Sequence, residues 1–316
     1  MFRREGTTLG FLILLLVAAG LKEPRLFQPQ SLESILLWMP LIAVVAMGQL
    51  MVVLTGGIDL SVGAVLGFAG IAVGLMLKSN PNLPLPLALG AGLAIGLALG
   101  VVNAALVVWG KVSPLIVTIG TLASYRGLTF IVSKGDQIDS SMIPDRLTSL
   151  AHTGVPVGPV TVSWLLVMAL VVVVVTAFFL SRVPLGRDLF AVGSNAEAAH
   201  LRGISVNRAK FWAFAACGAL AGLAGVMYAA RFGFVNPGSA GQNFELTVIA
   251  AVAIGGTKLT GGSGSVLGVF LGCLLLSCIN VSLSLLGIDA NWQMLTYGAV
   301  ILVGVLVDAW APRSRA

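Results

Sequence analysis

Charge is what this chain has least of. It holds 18 Lys and Arg and 12 Asp and Glu in 316 residues, where a soluble chain of that length carries about 80 charged residues. So few charges cannot coat a globule, which excludes a soluble enzyme and a disordered chain. Cysteine is scarce too. Cys217, Cys273 and Cys278 all lie in apolar segments and at no metal-ligand spacing, which excludes a disulfide scaffold and reads as small packing residues. No basic run accompanies the net charge of +6, so the positive balance speaks first of membrane orientation, not of nucleic acid. A phosphate-binding G-x-x-x-x-G-K-[ST] loop is missing: Gly255-Gly256-Thr257-Lys258 has the wrong spacing, and no H-E-x-x-H or Cys/His cluster occurs. Leu259-Thr260-Gly261-Gly262-Ser263 reads as a tight glycine turn between two spans. What is abundant is apolar surface, 58% of the residues, and glycine, 39 residues, which suits close helix packing in lipid.

A bilayer-spanning helix needs about 20 mostly apolar residues. Ten segments qualify as candidates: 8–22, 35–55, 60–77, 84–109, 113–133, 160–181, 208–231, 244–258, 263–286 and 292–308. The runs are continuous, not alternating, which favours helices over barrel strands. Arg3 and Arg4 before an apolar stretch would also suit a signal peptide, but Val17-Ala18-Ala19 matches a cleavage site poorly, so a retained first helix is expected. With the N-terminus in the cytoplasm, eleven of the 18 cations fall inside, six outside and Arg126 within a span. That bias predicts both termini in the cytoplasm. His152 and His200 then lie on opposite sides. Two hydrophilic segments remain, an extracytoplasmic loop at 134–159 and a cytoplasmic loop at 182–210 with five cations within 29 residues.

The inner loop contains Gly193-Ser194-Asn195-Ala196-Glu197-Ala198-Ala199-His200-Leu201-Arg202-Gly203. Ser194 and Glu197 have the spacing of a capping box, and Gly203 stands where a left-handed C-cap is expected. The predicted helix is about two turns long, too short to be stable alone in water. It therefore needs a surface to pack on, either the membrane or a partner.

Glu197-Ala198-Ala199 followed by Gly203 resembles the E-A-A-x-x-x-G loop of ABC importer permeases, the element that docks into the ATPase subunit. Gly186-Arg187, Ala191-Val192-Gly193, Gly203-Ile204 and Val206-Asn207 resemble the ribose-permease branch. So do Thr55-Gly56-Gly57-Ile58-Asp59-Leu60-Ser61-Val62-Gly63, Phe244-Glu245-Leu246 with Ile249 to Val252, Gly255-Gly256-Thr257, Gly261 to Gly264, and Val303 to Asp308. The resemblance implies an all-α polytopic membrane protein, a type II ABC-importer-like permease of about ten helices forming one transmembrane domain over 1–316. It implies a bacterial cytoplasmic (inner) membrane location and three partners: a cytoplasmic ABC ATPase, an extracytoplasmic sugar-binding protein and a second permease copy, identical or related. It implies no cofactor on this chain and no enzymatic activity, ATP being used by the partner subunit. Ser194, Glu197, Ala198, Ala199, Leu201 and Gly203 are then the ATPase-coupling residues.

Polar groups inside spans are costly and face protein or water. Asp59 and Ser61 follow paired glycines that invite a helix break, so Asp59 either lines the path or caps the third span at the inner face. Asn103 and Asn280 are neutral and mid-span, suited to a sugar path or to interhelical bonds. Arg126 lies 13 residues into its span, where snorkelling to an outer partner such as Asp136 competes with a pathway role. Glu245 opens the eighth span and is expected at its outer mouth. The Gly56-Gly57 and Gly255-Gly256 pairs, 199 residues apart, and the runs Gly63–Gly67 and Gly264–Gly268, 201 apart, hint at a parallel internal repeat.

The function expected is translocation of a monosaccharide or similar sugar-like solute. The rivals are a branched-chain amino-acid permease, which would offer charged partners to a zwitterion, and an ion-coupled carrier, which would carry buried mid-span acids. A lipid-modifying enzyme would need a cluster of His, Asp or Cys that the sequence does not supply.

Overall fold

The uncharged runs fold as helices, and short polar or proline-bearing stretches separate them. The computed structural model describes residues 2–288 together with Trp292, Leu295, Gly298 and Ala299. The helices are α1 (Phe2–Lys22), α2 (Pro29–Leu54), α3 (Val62–Ser79), α4 (Leu85–Val108), α5 (Pro114–Ser133), α6 (Asp145–His152), α7 (Trp164–Arg182), α8 (Pro184–Ser194), α9 (Ala196–Leu201), α10 (Val206–Phe232), α11 (Phe244–Ile254) and α12 (Val266–Leu285). Proline opens α2, α5 and α8, where its missing N–H costs nothing and its fixed φ fits the first turn.

Seven of the described helices are long and apolar enough to cross a membrane: α2, α3, α4, α5, α7, α10 and α12. The chain is a multi-pass membrane protein. The expected span 8–22 is the apolar Thr8–Lys22 part of the longer α1, and the expected span 244–258 comes out shorter, as the 11-residue α11. The tenth, 292–308, lies outside the described residues apart from four positions, as do Val303 to Asp308. The sixth span was expected from residue 160. Residues 160–163 instead form strand β2, paired antiparallel with β1 (Gly154–Val157). The helix starts at Trp164 because the Ser163 hydroxyl accepts the Leu166 N–H at 3.3 Å and caps it. The 134–159 stretch also holds α6.

α2 and α10 form the centre of the bundle and are buried along most of their length, whereas α5 and α7 bury only narrow faces. α10 lies directly on α4. A Cβ on Gly96 would overlap the Gly218 carbonyl oxygen, and one on Gly218 would lie 2.5 Å from Gly100 Cα. Backbone thus rests on backbone, the close approach that small residues permit in lipid. α1 packs along α12, and the Thr8 hydroxyl donates to the Ile254 carbonyl at 2.8 Å.

At one end of the bundle lie the end of α2, the short helices α8 and α9, the end of α11 and the start of α12. This is the α9 end. The β1–β2 hairpin and α6 lie at the other.

Candidate functional site

After α2 the chain does not cross straight into α3. The Gly56 N–H donates to the Val53 carbonyl at 2.9 Å and the Gly57 N–H to Val52 at 3.2 Å, with Gly56 at φ +80°. This is the paired-bond cap that a left-handed glycine makes possible. The chain then climbs back beside α2. Gln49, five positions before Leu54 and so about 7–8 Å up the helix, grips Asp59 by its backbone. With its amide oriented to satisfy both groups, it accepts the Asp59 N–H and donates to the Asp59 carbonyl, each at 3.1 Å.

That hold carries the Asp59 carboxylate into the interior, where Asp59 is 1% exposed. Its Oδ1 accepts the Ser61 N–H at 2.8 Å and the Ser61 hydroxyl at 2.7 Å. Asn103, from α4, donates to Ser61 Oγ at 2.8 Å and to Asp59 Oδ2 at 3.5 Å. Tyr125, from α5, donates to Asn103 Oδ1 at 3.1 Å and to the Leu99 carbonyl at 2.9 Å. Asp59, Ser61 and Asn103 therefore meet in one buried network that ties the re-entrant turn to α2, α4 and α5. Asp59 was expected as a possible N-cap of α3. That position is taken by Ser61, because Asp59, two residues earlier, spends its carboxylate on the Ser61 amide in an Asx turn. Gln49 and Tyr125 escaped the sequence reading. Gln49 did leave a signal, as the single amide, hydroxyl or charged side chain between Ile35 and Leu54.

The second group centres on α11. Segment 234–243, which reads as an outer loop, passes into the bundle against the glycine face of α3. A Cβ on Gly67 would lie 2.6 Å from the Ala240 carbonyl oxygen, and one on Gly63 would overlap the Gly241 carbonyl oxygen and Glu245 Oε2. The segment and α11 together make a broken span, a run of turns first and a helix second. Glu245 is nine positions before Ile254, about 13–14 Å along the helix from the α9 end. It lies within the bundle beside Gly63 of α3, not at the bundle's end where an outer-mouth position would put it, because the turns of 234–243 occupy the stretch between it and the hairpin end. Its Oε2 is buried without a hydrogen-bond partner among the described residues.

Arg126 belongs to the same group. Its guanidinium donates to the Ala240 carbonyl at 2.7 Å and to the Gly241 carbonyl at 3.2 Å. It turns inward to the carbonyls of the turn segment rather than outward to Asp136: the Ala240 carbonyl has no helical donor of its own, and the Gly241 carbonyl otherwise accepts only the Phe244 N–H at 3.4 Å. Gln242 and Asn243, at the break, are exposed. They too were missed, since Pro237-Gly238-Ser239-Ala240-Gly241 looks like surface loop. Asn280 is half-buried on α12.

At the α9 end, Asn195 caps α9 by accepting the Ala198 N–H at 3.0 Å. The cap expected from Ser194 is thus displaced by one residue, because Ser194 is still the last residue of α8 and cannot adopt the extended backbone a cap needs. Gly203 closes the helix as expected, with φ +81°, its N–H on His200 at 2.9 Å and the Ile204 N–H on Ala199 at 3.0 Å. Glu197, Ala198 and Leu201 face outward, Leu201 at 82% exposure, while Ala199 is buried against the bundle.

A repeat appears in the caps. Gly256, at φ +79°, donates to Ala253 at 2.9 Å and Thr257 to Val252 at 3.2 Å, matching Gly56 and Gly57 at an offset of 200. The Gly-x-Val-Leu-Gly runs do not share it: Gly63 lies inside α3, whereas Gly264 precedes α12.

Residues 31–305 match the family described as "Branched-chain amino acid transport system / permease component". The chain is 35% identical to the ribose import permease protein RbsC of Escherichia coli K12 over 96% of its length and 93% of that protein's. It is 35% identical to the ribose import permease protein RbsC of Bacillus subtilis over 98% and 93% of the two chains. It is 32% identical to the autoinducer 2 import system permease protein LsrC of Photorhabdus luminescens over 96% and 89%. No solved structure gives a significant match.

Proposed function

The chain belongs to the family of branched-chain amino acid transport system permease components and is a multi-pass protein of the bacterial inner membrane, and on that premise we propose that it is the membrane-spanning subunit of an ATP-driven importer for a monosaccharide or similar sugar-like solute. The observation that carries the substrate class is the near-full-length similarity to ribose import permeases. That similarity favours a sugar over a branched-chain amino acid, although the family description names the latter.

In this reading the α9 end is cytoplasmic, as the excess of cations there requires, and both termini lie on that side of about ten spans in a type II arrangement. The 182–210 segment couples to a separate ABC ATPase. Glu197, Ala198 and Leu201 present its contact face, with Ser194, Ala199 and Gly203 shaping the element behind them. An apolar side chain as exposed as Leu201, on a short helix with polar surroundings, is what a docking partner would cover. The 134–159 segment meets an extracytoplasmic sugar-binding protein. A second permease copy, identical or related, packs on α5, whose outward face is small at its centre (Gly120, Ala123, Ser124 and Gly127), unlike the bulky outward face of α7 with Val171, Val174, Val175 and Phe178.

The solute path runs past the break of the eighth span, where Arg126, Glu245, Gln242 and Asn243 offer donors and acceptors near the bilayer midplane. Asn280 contributes from α12. Asp59, Ser61 and Asn103 form the inner barrier below it. This chain makes or breaks no covalent bond and binds no cofactor in this scheme; ATP is hydrolysed by the partner.

The test is reconstitution with the ATPase and binding protein, followed by ribose uptake. Uptake is expected to require ATP hydrolysis, and Glu197→Ala is expected to lower it about ten-fold by weakening the docking helix. Uptake driven by a proton gradient alone would overturn the importer reading, and unchanged uptake and ATPase binding in Glu197→Ala would overturn the docking assignment.

A further inference from the structure

The helix α9 does not reach the bundle through side chains alone. One residue, Asn195, joins it to α8, and the end of α8 is pressed into the backbone of both glycine turns. The Gly262 N–H donates to the Leu54 carbonyl at 3.0 Å, bridging the end of α2 to the turn after α11. Gly193 sits on that bridge: a Cβ there would overlap the Leu54 carbonyl oxygen and lie 2.5 Å from the Gly262 nitrogen. A Cβ on Gly262 would lie 2.5 Å from Ser194 Oγ, and one on Gly261 2.8 Å from the Gly56 nitrogen and 3.1 Å from Gly193 Cα. Ser194 adds a long hydrogen bond, 3.5 Å, to the Gly262 carbonyl. Three chain segments thus meet backbone to backbone.

We propose that Gly193 and Gly262 are positioning residues that weld α8 to both glycine turns, so that a displacement of α9 moves the starts of α3 and α12 together. The inference rests on the reading that α9 docks an ATPase. Its physical basis is the absence of slack. A contact through long side chains absorbs displacement by rotamer change, whereas close-packed main chain transmits it. Behind the first turn, the hydrogen bonds from Gln49, Ser61, Asn103 and Tyr125 carry the same displacement to α2, α4 and α5.

Gly193→Ala, purified with the ATPase and binding protein and reconstituted, tests this. The ATPase is expected to co-purify as with the wild type and to keep its basal hydrolysis, while solute moved per ATP falls about ten-fold, the size of an ordinary coupling free energy. Wild-type transport per ATP in Gly193→Ala would overturn the proposal. So would loss of ATPase co-purification, which would make Gly193 part of the docking surface.

Where that variant fails to fold, distances between spin labels decide on an otherwise native chain. The native Cys217, Cys273 and Cys278 are buried, so labels go to introduced cysteines. The pair Arg187→Cys and Thr260→Cys, both exposed positions, should keep one distance with and without trapped ATP. The pair Arg187→Cys and Val157→Cys, on the hairpin at the other end, should change. Equal changes in both pairs, or change in neither, would overturn the proposal. Wild-type permease that binds no ATPase would instead overturn the importer reading itself, and that control comes first.

Discussion

Among the turns at the α9 end, two follow α2 and α11. The two turns share a cap and differ in what lines them. In each, a glycine near φ +80° closes the helix with the same two hydrogen bonds at the same lengths. Beyond the cap they diverge. The first turn buries a carboxylate and surrounds it with donors from Ser61 and Asn103, while Gln49 fixes its backbone. The second buries the Thr257 hydroxyl without a hydrogen-bond partner among the described residues and is held by main-chain bonds, from Gly262 to Leu54 and from Lys258 to Ser263. A backbone cap is cheap in sequence and can recur. A satisfied polar network needs particular side chains from several helices, and only one turn has them. The first turn is thereby anchored to the bundle, and the second is anchored chiefly to the first turn and to α8.

Substitutions can break that contrast. Asp59→Ala should have the largest effect, since it strands the Ser61 and Asn103 donors in the interior. A loss of about 3 kcal/mol is expected, read as thermal unfolding of the detergent-solubilised protein. Thr257→Val, the matching change in the second turn, should be neutral or slightly stabilising, because it replaces an unpaired hydroxyl by a methyl group. Comparable losses in the two would erase the difference between the turns.

The shared cap is tested by Gly56→Ala and Gly256→Ala. Each should cost about 1–2 kcal/mol from the left-handed backbone alone, and the two costs should be alike. A much larger cost at Gly56 would mean that the first cap depends on its surroundings. The smallest loss among the changes expected to destabilise comes from Tyr125→Phe, which trims the edge of the network. It should cost about 1 kcal/mol and leave Asp59 held, which Asp59→Ala in the Tyr125→Phe background would check through a double-mutant cycle.

Some of this was legible in the sequence, for reasons that differ by element. α2, α7 and α10 announce themselves because lipid and a buried interior both demand continuous apolar residues. Gly203 was readable as a cap because a left-handed backbone at a helix end selects glycine. The helix α8 was not readable: Pro184 marks its start, but its charged residues Arg187 and Asp188 gave it the look of a polar loop. The break before α11 was hidden more deeply. Segment 234–243 is short, polar and glycine-containing, as an outer loop would be. Its burial follows from the glycine face of α3, a surface made by a helix far away in sequence. Arg126 was misjudged for the same reason, since its carbonyl partners are 114 and 115 residues away.

The sequence by itself determined that this is a helical membrane protein, where most of its crossings run and which loop carries a capped helix. Those features follow from local rules: runs of apolar residues, positions of glycine and proline, and the placement of a few charges. Only the tertiary structure decided that Asp59, Ser61 and Asn103 form one network, that Glu245 lies within the bundle beside Arg126, and that α8 rests on both glycine turns. Each of these depends on which backbone another helix leaves uncovered. That is set by packing between distant segments, which local composition does not encode.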